Sequence, residues 1–282
     1  MPIHRNFYKE MKTYVNSMEV LRLQVIKSAS IIVGLIVLGI FEALFPLFHG
    51  QKNRLRHDAV NMSLWLMNIL IVGMLYGLFI LGISRFLHNN IKGLLEFIGL
   101  SQFPKFVVAF LLIDLWMYTI HFANHKFSFM WRFHRVHHSD EMVNTTTGFR
   151  FHLGEILISL MLRVLITPLL GIDLLHFLVY ELVLIPVLLV QHSDIRFNMS
   201  LDEFFSVLFA TPKVHHVHHS SKQKEADTNF ASVLSLWDRL FGTYCSPAGV
   251  GEIRYGISGP KNKADLGLNT LLGMPFENKK AK

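Results

Sequence analysis

Sixteen histidines occur in the 282 residues, and half of them fall in three tight motifs. His121 and His125 are spaced H-x3-H, while His134, His137 and His138 form H-x2-H-H, a pattern that His215, His218 and His219 repeat. On a helix, positions i, i+3 and i+4 share one face. Each motif could therefore aim two or three imidazoles at a single point. Neutral imidazole is the commonest metal ligand and suits iron, zinc and copper. Eight ligands are too many for one ion, since a catalytic zinc takes three protein ligands and a water; they fit two ions with open positions. No Asp or Glu stands inside the motifs, unlike soluble di-iron bundles built on Glu and Glu-x-x-His. The H-E-x-x-H of zinc proteases is absent as well. His4, His49, His57, His88 and His176 have no partner at ligand spacing and read as non-ligands, and His216 points off the face of its own motif.

Composition says what surrounds such a centre. Hydrophobic residues make up 51% and charged residues only 17%, against about 25% charged in a soluble domain. Phe alone occurs 24 times. These values point to a bilayer as solvent. The net charge of +7 fits basic loops against anionic headgroups. Nucleic acid is the weaker partner, because no basic run sits in a polar, foldable module. Cys245 is the single cysteine. It excludes an internal disulfide, a four-thiolate iron–sulfur cluster and a thiolate zinc finger.

Apolar runs supply the elements that must position the histidines. Ser28–Phe48, Val60–Phe86 and Phe103–His121 are each long enough to span a bilayer. The stretch 122–152 is polar, aromatic and histidine-rich, so it lies outside the hydrocarbon. Leu153–Val190 is apolar again but broken by Thr167, Pro168, Gly171 and Asp173. Two helices of about 17–19 residues around that break would cross and return. The histidine-rich segments on either side of this hairpin then share one face. Lys126, Arg132, Arg135, Arg150, Lys213, Lys222 and Lys224 argue that the face is cytoplasmic. Three spans before it would put the N-terminus outside, although Arg5, Lys9, Lys12, Arg22 and Lys27 oppose that. Either the N-terminus lies outside or one of the first three runs is re-entrant or interfacial, and the sequence leaves the span count and the N-terminal side open. Gln191–Lys282 reads as largely polar with short helices such as Asp202–Phe209, and Glu277–Lys282 as a solvated tail. The expected fold is an all-α integral membrane protein: a bundle of about four to five membrane helices capped by a histidine-rich cytoplasmic helical domain.

The motifs H-F-A-N-H (121–125), W-R-F-H-R-V-H-H-S (131–139), T-P-K-V-H-H-V-H-H-S (211–220) and L-W-D-R-L-F-G-T-Y (236–244) together resemble the fatty acid hydroxylase / sterol desaturase superfamily. The resemblance runs from about Asp114 to Tyr244. It implies a membrane enzyme with two non-haem iron ions that uses O2 to hydroxylate or desaturate a lipid. Asn144, Thr147, Arg150, His152 and Glu155 resemble its N-x2-T-x2-R-x-H-P-x-E segment, with Leu153 in place of proline. Gln191-His192-Ser193-Asp194 resembles its H-S-N element, with Asp for Asn, and Ala231 replaces a common glycine. The resemblance makes His192 a ninth ligand, and His152 either a tenth or a support for one. Arg150, Glu155 and Asp194 are expected beside the ligands.

Asp114, Tyr118, His121 and His125 form one helical stripe. An acid inside a span is a functional hypothesis by default. Asp114 is expected to accept the free N–H of a ligating imidazole; the plainer alternative is a helix–helix hydrogen bond. These readings divide the chain into an N-terminal membrane segment (1–102), a catalytic domain (103–244) and a C-terminal tail (245–282). No dinucleotide, haem or cluster motif is present, so no internal flavin, haem or iron–sulfur centre is expected. Electrons should come from an external reductase with a cytochrome or ferredoxin. A membrane metal transporter and a zinc-dependent membrane hydrolase are the rival readings. The particular lipid, and hydroxylation against desaturation, stay open.

Overall fold

The computed structural model describes residues 3–48, 53–75, 81–249, 253–257 and 267–277. Every regular element among them is helical: α1 (Ile3–Leu44), α2 (Arg54–Leu75), α3 (Leu81–Asn90), α4 (Leu94–Phe97), α5 (Gln102–Lys126), α6 (Ser128–His138), α7 (Leu153–Leu170), α8 (Leu174–His192), α9 (Met199–Ser206), α10 (Pro212–His218), α11 (Gln223–Ala226), α12 (Leu236–Leu240) and α13 (Leu268–Gly273). Five stretches are long and apolar enough to cross a membrane, namely Met18–Leu44, Arg54–Leu75, Gln102–Lys126, Leu153–Leu170 and Leu174–His192. The protein is a multi-pass membrane protein. Within the second apolar run, Val60–Phe86, α2 covers residues up to Leu75 and α3 those from Leu81, and 76–80 lie outside the described residues.

Hydrogen bonds give the direction of each span. The histidine-bearing ends of α5 and α8 define one end of the bundle. The C-terminal end of α1 lies there too, because Leu47 N–H donates to Asp194 O just past α8 (3.0 Å). So does the start of α2, where Asn61 accepts from Arg150 (2.9 Å). All three of the first long helices therefore qualify as spans, and α1 begins at the opposite end from the histidines. No re-entrant segment is needed among them to bring the motifs together.

The far end is closed by small residues. Gly171 ends α7 in the left-handed conformation (φ 73°), where a residue without Cβ is favoured. Gly93 packs directly on it; a Cβ at Gly93 would sit 2.1 Å from Gly171 N. Asp173 then starts α8, accepting from His176 N–H in a reciprocal capping box. Between the ends, Leu95, Ala109, Ile113, Phe177, Tyr180 and Val233 form a buried core.

Two regions differ from the sequence reading. Part of the expected tail is structured: Leu271 and Met274 are buried with Leu64 of α2 and Val136 of α6. Arg135, counted above among the loop cations, is buried, and its guanidinium donates to Met274 O. The other region is Met199–Phe209, whose outward face is apolar and whose inward residues are polar.

Candidate metal centre

Four segments deliver histidines to one place. His121 and His125 sit near the C-terminal end of α5, and His134, His137 and His138 lie on α6. His192 ends α8. Pro212 at the first turn and Thr211 at the N-cap start α10, which carries His215 and His218, with His219 as its C-cap. The rings form two groups. One contains His121, His125, His134, His138 and His218; the other contains His137, His192, His215 and His219. Within each group the ligand atoms all lie within 4.8 Å of one another.

Each H-x2-H-H motif is shared between the groups, so the expectation of one aiming point per motif is corrected. A helix turns about 100° per residue, so the i+3 and i+4 positions diverge by about that angle. His138 therefore joins His134 in the first group while His137 turns to the second. In α10 the roles swap: His215 and His219 enter the second group and His218 the first. The groups abut, with the His138 and His219 rings stacked at 4.7 Å between centroids.

Outer hydrogen bonds set which nitrogen faces inward. The Nδ1 atoms of His121, His192 and His218 face the carbonyls of Phe230 (2.8 Å), Leu188 (2.7 Å) and Thr228 (2.7 Å). A carbonyl only accepts, so Nδ1 carries the proton and Nε2 presents its lone pair. His134 Nδ1 meets Glu155 Oε1 at 2.8 Å, and His125 Nδ1 meets Asp227 Oδ1 at 3.4 Å. Partners of this kind fix ring orientation and raise ligand basicity.

A cation fits the inward atoms. The Nε2 atoms of His121, His134 and His218 are buried without a partner. His192 Nε2 lies 3.0 Å from His215 Nε2 and 3.3 Å from His137 Nε2. His125 Nε2 lies 3.1 Å from His138 Nε2. Ligands about 2.1 Å from a shared metal would stand roughly 3.0–3.4 Å apart in octahedral or tetrahedral arrangement. Burial and neighbouring imidazoles hold His137, His138, His215 and His219 well below the usual histidine range. Burial brings His218 down to about 3. Neutral, lone-pair-bearing rings are the state a metal requires. The two groups are consistent with a di-metal site.

Residues 106–243 match the fatty acid hydroxylase family. That stretch of the chain belongs to it. All nine clustered histidines lie inside the matched residues, as does most of α5, whereas α1 and α2 lie outside. Relatives include the ornithine lipid hydroxylase OlsE of Rhizobium tropici, 30% identical over 64% of this chain and 53% of its own length. Human alkylglycerol monooxygenase is 31% identical over 55% of this chain and 33% of its own. Rat cholesterol 25-hydroxylase is 29% identical over 52% and 50%. The chain thus spans about half the length, or less, of these curated relatives. No solved structure matches the chain.

Around the centre, the expected supporting residues take different places. Glu155 reaches a ligand directly, and it also accepts from Asn124 (3.0 Å). Arg150 is buried and braces α6 instead, donating to Val136 O (3.0 Å) and Ser139 Oγ (3.1 Å). Asp114 does not take a ligand N–H. Its carboxylate accepts from Tyr180 Oη (2.7 Å), Val233 N (3.2 Å), Leu234 N (3.0 Å) and Trp237 Nε1 (2.8 Å). The rise along α5 explains this: Asp114 lies seven residues before His121, about 10 Å lower on the helix. Tyr118 pairs with Thr243 (2.9 Å), and Asp194 accepts from Phe48 N–H (3.0 Å).

His152 is outside both groups. It caps α7 by accepting from Gly154 N–H (2.9 Å) through Nδ1, and its Nε2 faces Leu272 O (3.2 Å). Of the other histidines, His216 meets Tyr255 (2.7 Å) and His176 belongs to the α8 cap. His49, and the side chains of His4 and His88, lie outside the described residues. Sequence reasoning missed three supports. His57 pairs with Asp140 at 2.8 Å, just past the α6 ligands. Asp227 follows the third motif and carried no spacing signal. Glu42, buried in α1, accepts from Thr145 N–H (2.8 Å) and Asp194 N–H (2.9 Å). Its only sequence signal was an acid in an otherwise uncharged span.

Proposed function

We propose that the chain hydroxylates an unactivated C–H bond of a bilayer lipid with O2, at a di-iron centre held by the nine clustered histidines. The carrying observation is the pair of abutting, all-imidazole groups at the end of a bundle of membrane spans. Iron bound there would supply O2 activation and the oxidant for hydrogen abstraction. The chain's own residues do the rest. His121, His125, His134, His138 and His218 would hold one ion, and His137, His192, His215 and His219 the other. Carbonyls and carboxylates behind five of these rings keep their Nε2 lone pairs aimed inward. Phe230, fully buried and packed edge-on against His121 (5.8 Å), helps keep water from the first group.

The relatives' names favour hydroxylation over desaturation, and ornithine lipids, alkylglycerols and cholesterol are all bilayer amphiphiles. A transporter would need ligands along the spans, whereas the clustered rings gather at one end. A hydrolase would need a carboxylate base; Glu155 and Asp227 both face ligand imidazoles. The exposed cations Arg132, Lys222 and Lys224 support a cytoplasmic face for the centre and an acidic electron carrier as partner.

The test uses the full chain in liposomes after iron reconstitution. Elemental analysis should give about two iron ions per chain. With NAD(P)H alone no product should form; with a reductase system and O2, a hydroxylated lipid should appear carrying oxygen from labelled O2. One ion or fewer per chain, or product without O2, would sink the proposal.

A further inference from the structure

We infer that two stretches, Met199–Phe209 and Val233–Phe241, dip back into the bilayer while the 220–227 loop between them stays in water, so that α9 and α12 are embedded in the metal-side leaflet without crossing it. Neither helix qualifies as a span, at eight and five residues. Two observations carry this: a reversal of the usual burial pattern, and an anchor whose depth follows from its place on α5.

The reversal is plain along α9 and the turn after it. Leu201, Phe204, Phe205, Val207 and Leu208 are 49–72% exposed, whereas Asp202 and Ser206 are 5% and 4% exposed. The buried polar atoms are satisfied inward. Asp202 accepts from Thr211 (2.9 Å) and Lys213 N–H (3.2 Å), and Ser235 Oγ donates to Ser206 O (2.6 Å). α12 repeats the pattern: Leu240 and Phe241 are 65% and 54% exposed, and Asp238 is 1% exposed. Asp238 accepts from Phe230 N–H (2.8 Å), Ala231 N–H (2.9 Å) and Thr243 (2.7 Å). A water-facing surface would be built the other way round, and contiguous apolar patches of this kind mark an interaction site.

The anchor names the occupant. Asp114 is the thirteenth residue of the 25-residue span α5, about 18 Å from either end. The hydrocarbon core is about 30 Å thick, and α5 is about 37 Å long. With the core contained within the length of α5, Asp114 lies at least about 11 Å inside it. Its carboxylate holds the Val233 and Leu234 backbone and the Trp237 indole directly. The loop before α12 is therefore tied to mid-span depth. Phe209 bridges Leu234 in turn, which carries the end of the α9 segment down with it. The apolar face of α9 and α12 thus continues the lipid-facing surface of α5, and acyl chains of the metal-side leaflet are what cover it. Irregular backbone at that depth is tolerated only when its polar groups are satisfied by protein; Asp114, Ser206 and Asp238 do this. Glu203 and Arg239 remain exposed and fit a headgroup-level rim.

The arrangement brings hydrocarbon close to the metal centre. Phe241 stacks on Tyr118 (5.4 Å), Tyr118 meets Phe230 edge-on (6.3 Å), and Phe230 contacts His125 (5.1 Å).

Spin-label accessibility tests the inference. In a Cys245→Ser background, single cysteines replace Phe204, Leu240 or Glu203, and the full chain is labelled and reconstituted in phosphatidylcholine liposomes. Labels at 204 and 240 should collide with O2 at least several-fold more than with a water-soluble nickel chelate, and the label at 203 should show the smaller ratio of a headgroup position. Nickel access at 204 and 240 would show a water-facing surface and overturn the inference. Protection from both reagents, with dipolar broadening between copies, would show a dimer interface and overturn it equally. These are exposed positions, so metal content serves as the check that each variant is folded. The readout involves no turnover, so it stands or falls apart from the hydroxylase proposal.

Discussion

At the residue scale, the inward Nε2 lone pairs separate the histidines by chemistry. His137→Ala removes one ring of the four-histidine group. His216→Ala removes a buried ring bonded to Tyr255. The first should lose at least one ion per chain and all turnover; the second should keep both ions. Equal metal loss in the two variants would overturn the grouping. Glu155→Gln keeps the shape but withdraws the negative partner of His134. Losses of this kind cost about 10–100-fold in metal affinity or rate, so iron titration of the variant should show a weaker first site. Proton competition has a definite sign. Burial brings His218 and His216 down to about 3 in the folded chain, against about 6.5 when unfolded. Below about pH 6.5 the unfolded chain binds more protons, so metal-free protein loses stability as pH falls from 6.5 toward 3. Bound metal stabilises by mass action but needs neutral rings. Melting curves in detergent should show a metal-dependent gain at pH 7 that shrinks toward pH 5; a gain independent of pH would contradict the ligand assignment.

At the element scale, legibility in the sequence follows local spacing. The three histidine motifs are each local, on α5, on α6, and on α10 with its C-cap, so four-residue spacing exposed them. Long apolar runs exposed the spans for the same reason. The supports were hidden because they are non-local: Phe230 O reaches His121 across 109 positions, and Glu42 meets Asp194 across 152. A carbonyl has no residue type to read. Asp114 shows how a correct signal can carry the wrong partner, since an acid in a span was legible but its four donors were not. Asp114→Asn should therefore loosen the 233–237 loop and leave iron affinity within a few fold. Turning one acceptor into an NH2 facing backbone donors costs about 1–3 kcal/mol, readable as a lower melting temperature. The far end offers a second test. Gly93→Ala places a methyl against Gly171 backbone and has no side chain to displace, so the α7–α8 turn must move. Stability should fall by about 1–3 kcal/mol, as overpacking usually costs, with metal stoichiometry unchanged. A melting temperature equal to wild type would show that the helices part there without cost.

At the scale of the whole molecule, the span directions fix where the two ends must lie. α1 runs toward the histidine end, α2 away, α5 toward, α7 away and α8 toward it. An odd number of crossings separates Met18 from the metal centre, so the segment before it and the 220–227 loop stand on opposite sides. Basic residues pull both ways. Arg5, Lys9, Lys12, Arg85, Lys92 and Lys105 belong to the side where α1 starts, while Arg54, Arg56, Lys126, Arg132, Arg196, Lys213, Lys222 and Lys224 belong to the histidine side. The positive-inside count favours the histidine side, and reduced electron carriers are available in the cytoplasm. Arg135 and Arg150 add nothing to that count, because both are buried in hydrogen bonds rather than set in a loop. The proposed orientation is tested by single cysteines at Lys224 and at Lys12 in a Cys245→Ser background, labelled in intact cells by a membrane-impermeant maleimide. The Lys12 position should react from outside, and the Lys224 position only after the membrane is opened. The reverse pattern would move the centre to the outer face and remove the cytoplasmic electron route, while the two histidine groups would stand. Reaction of both positions from one side would instead show that one of the five helices does not cross.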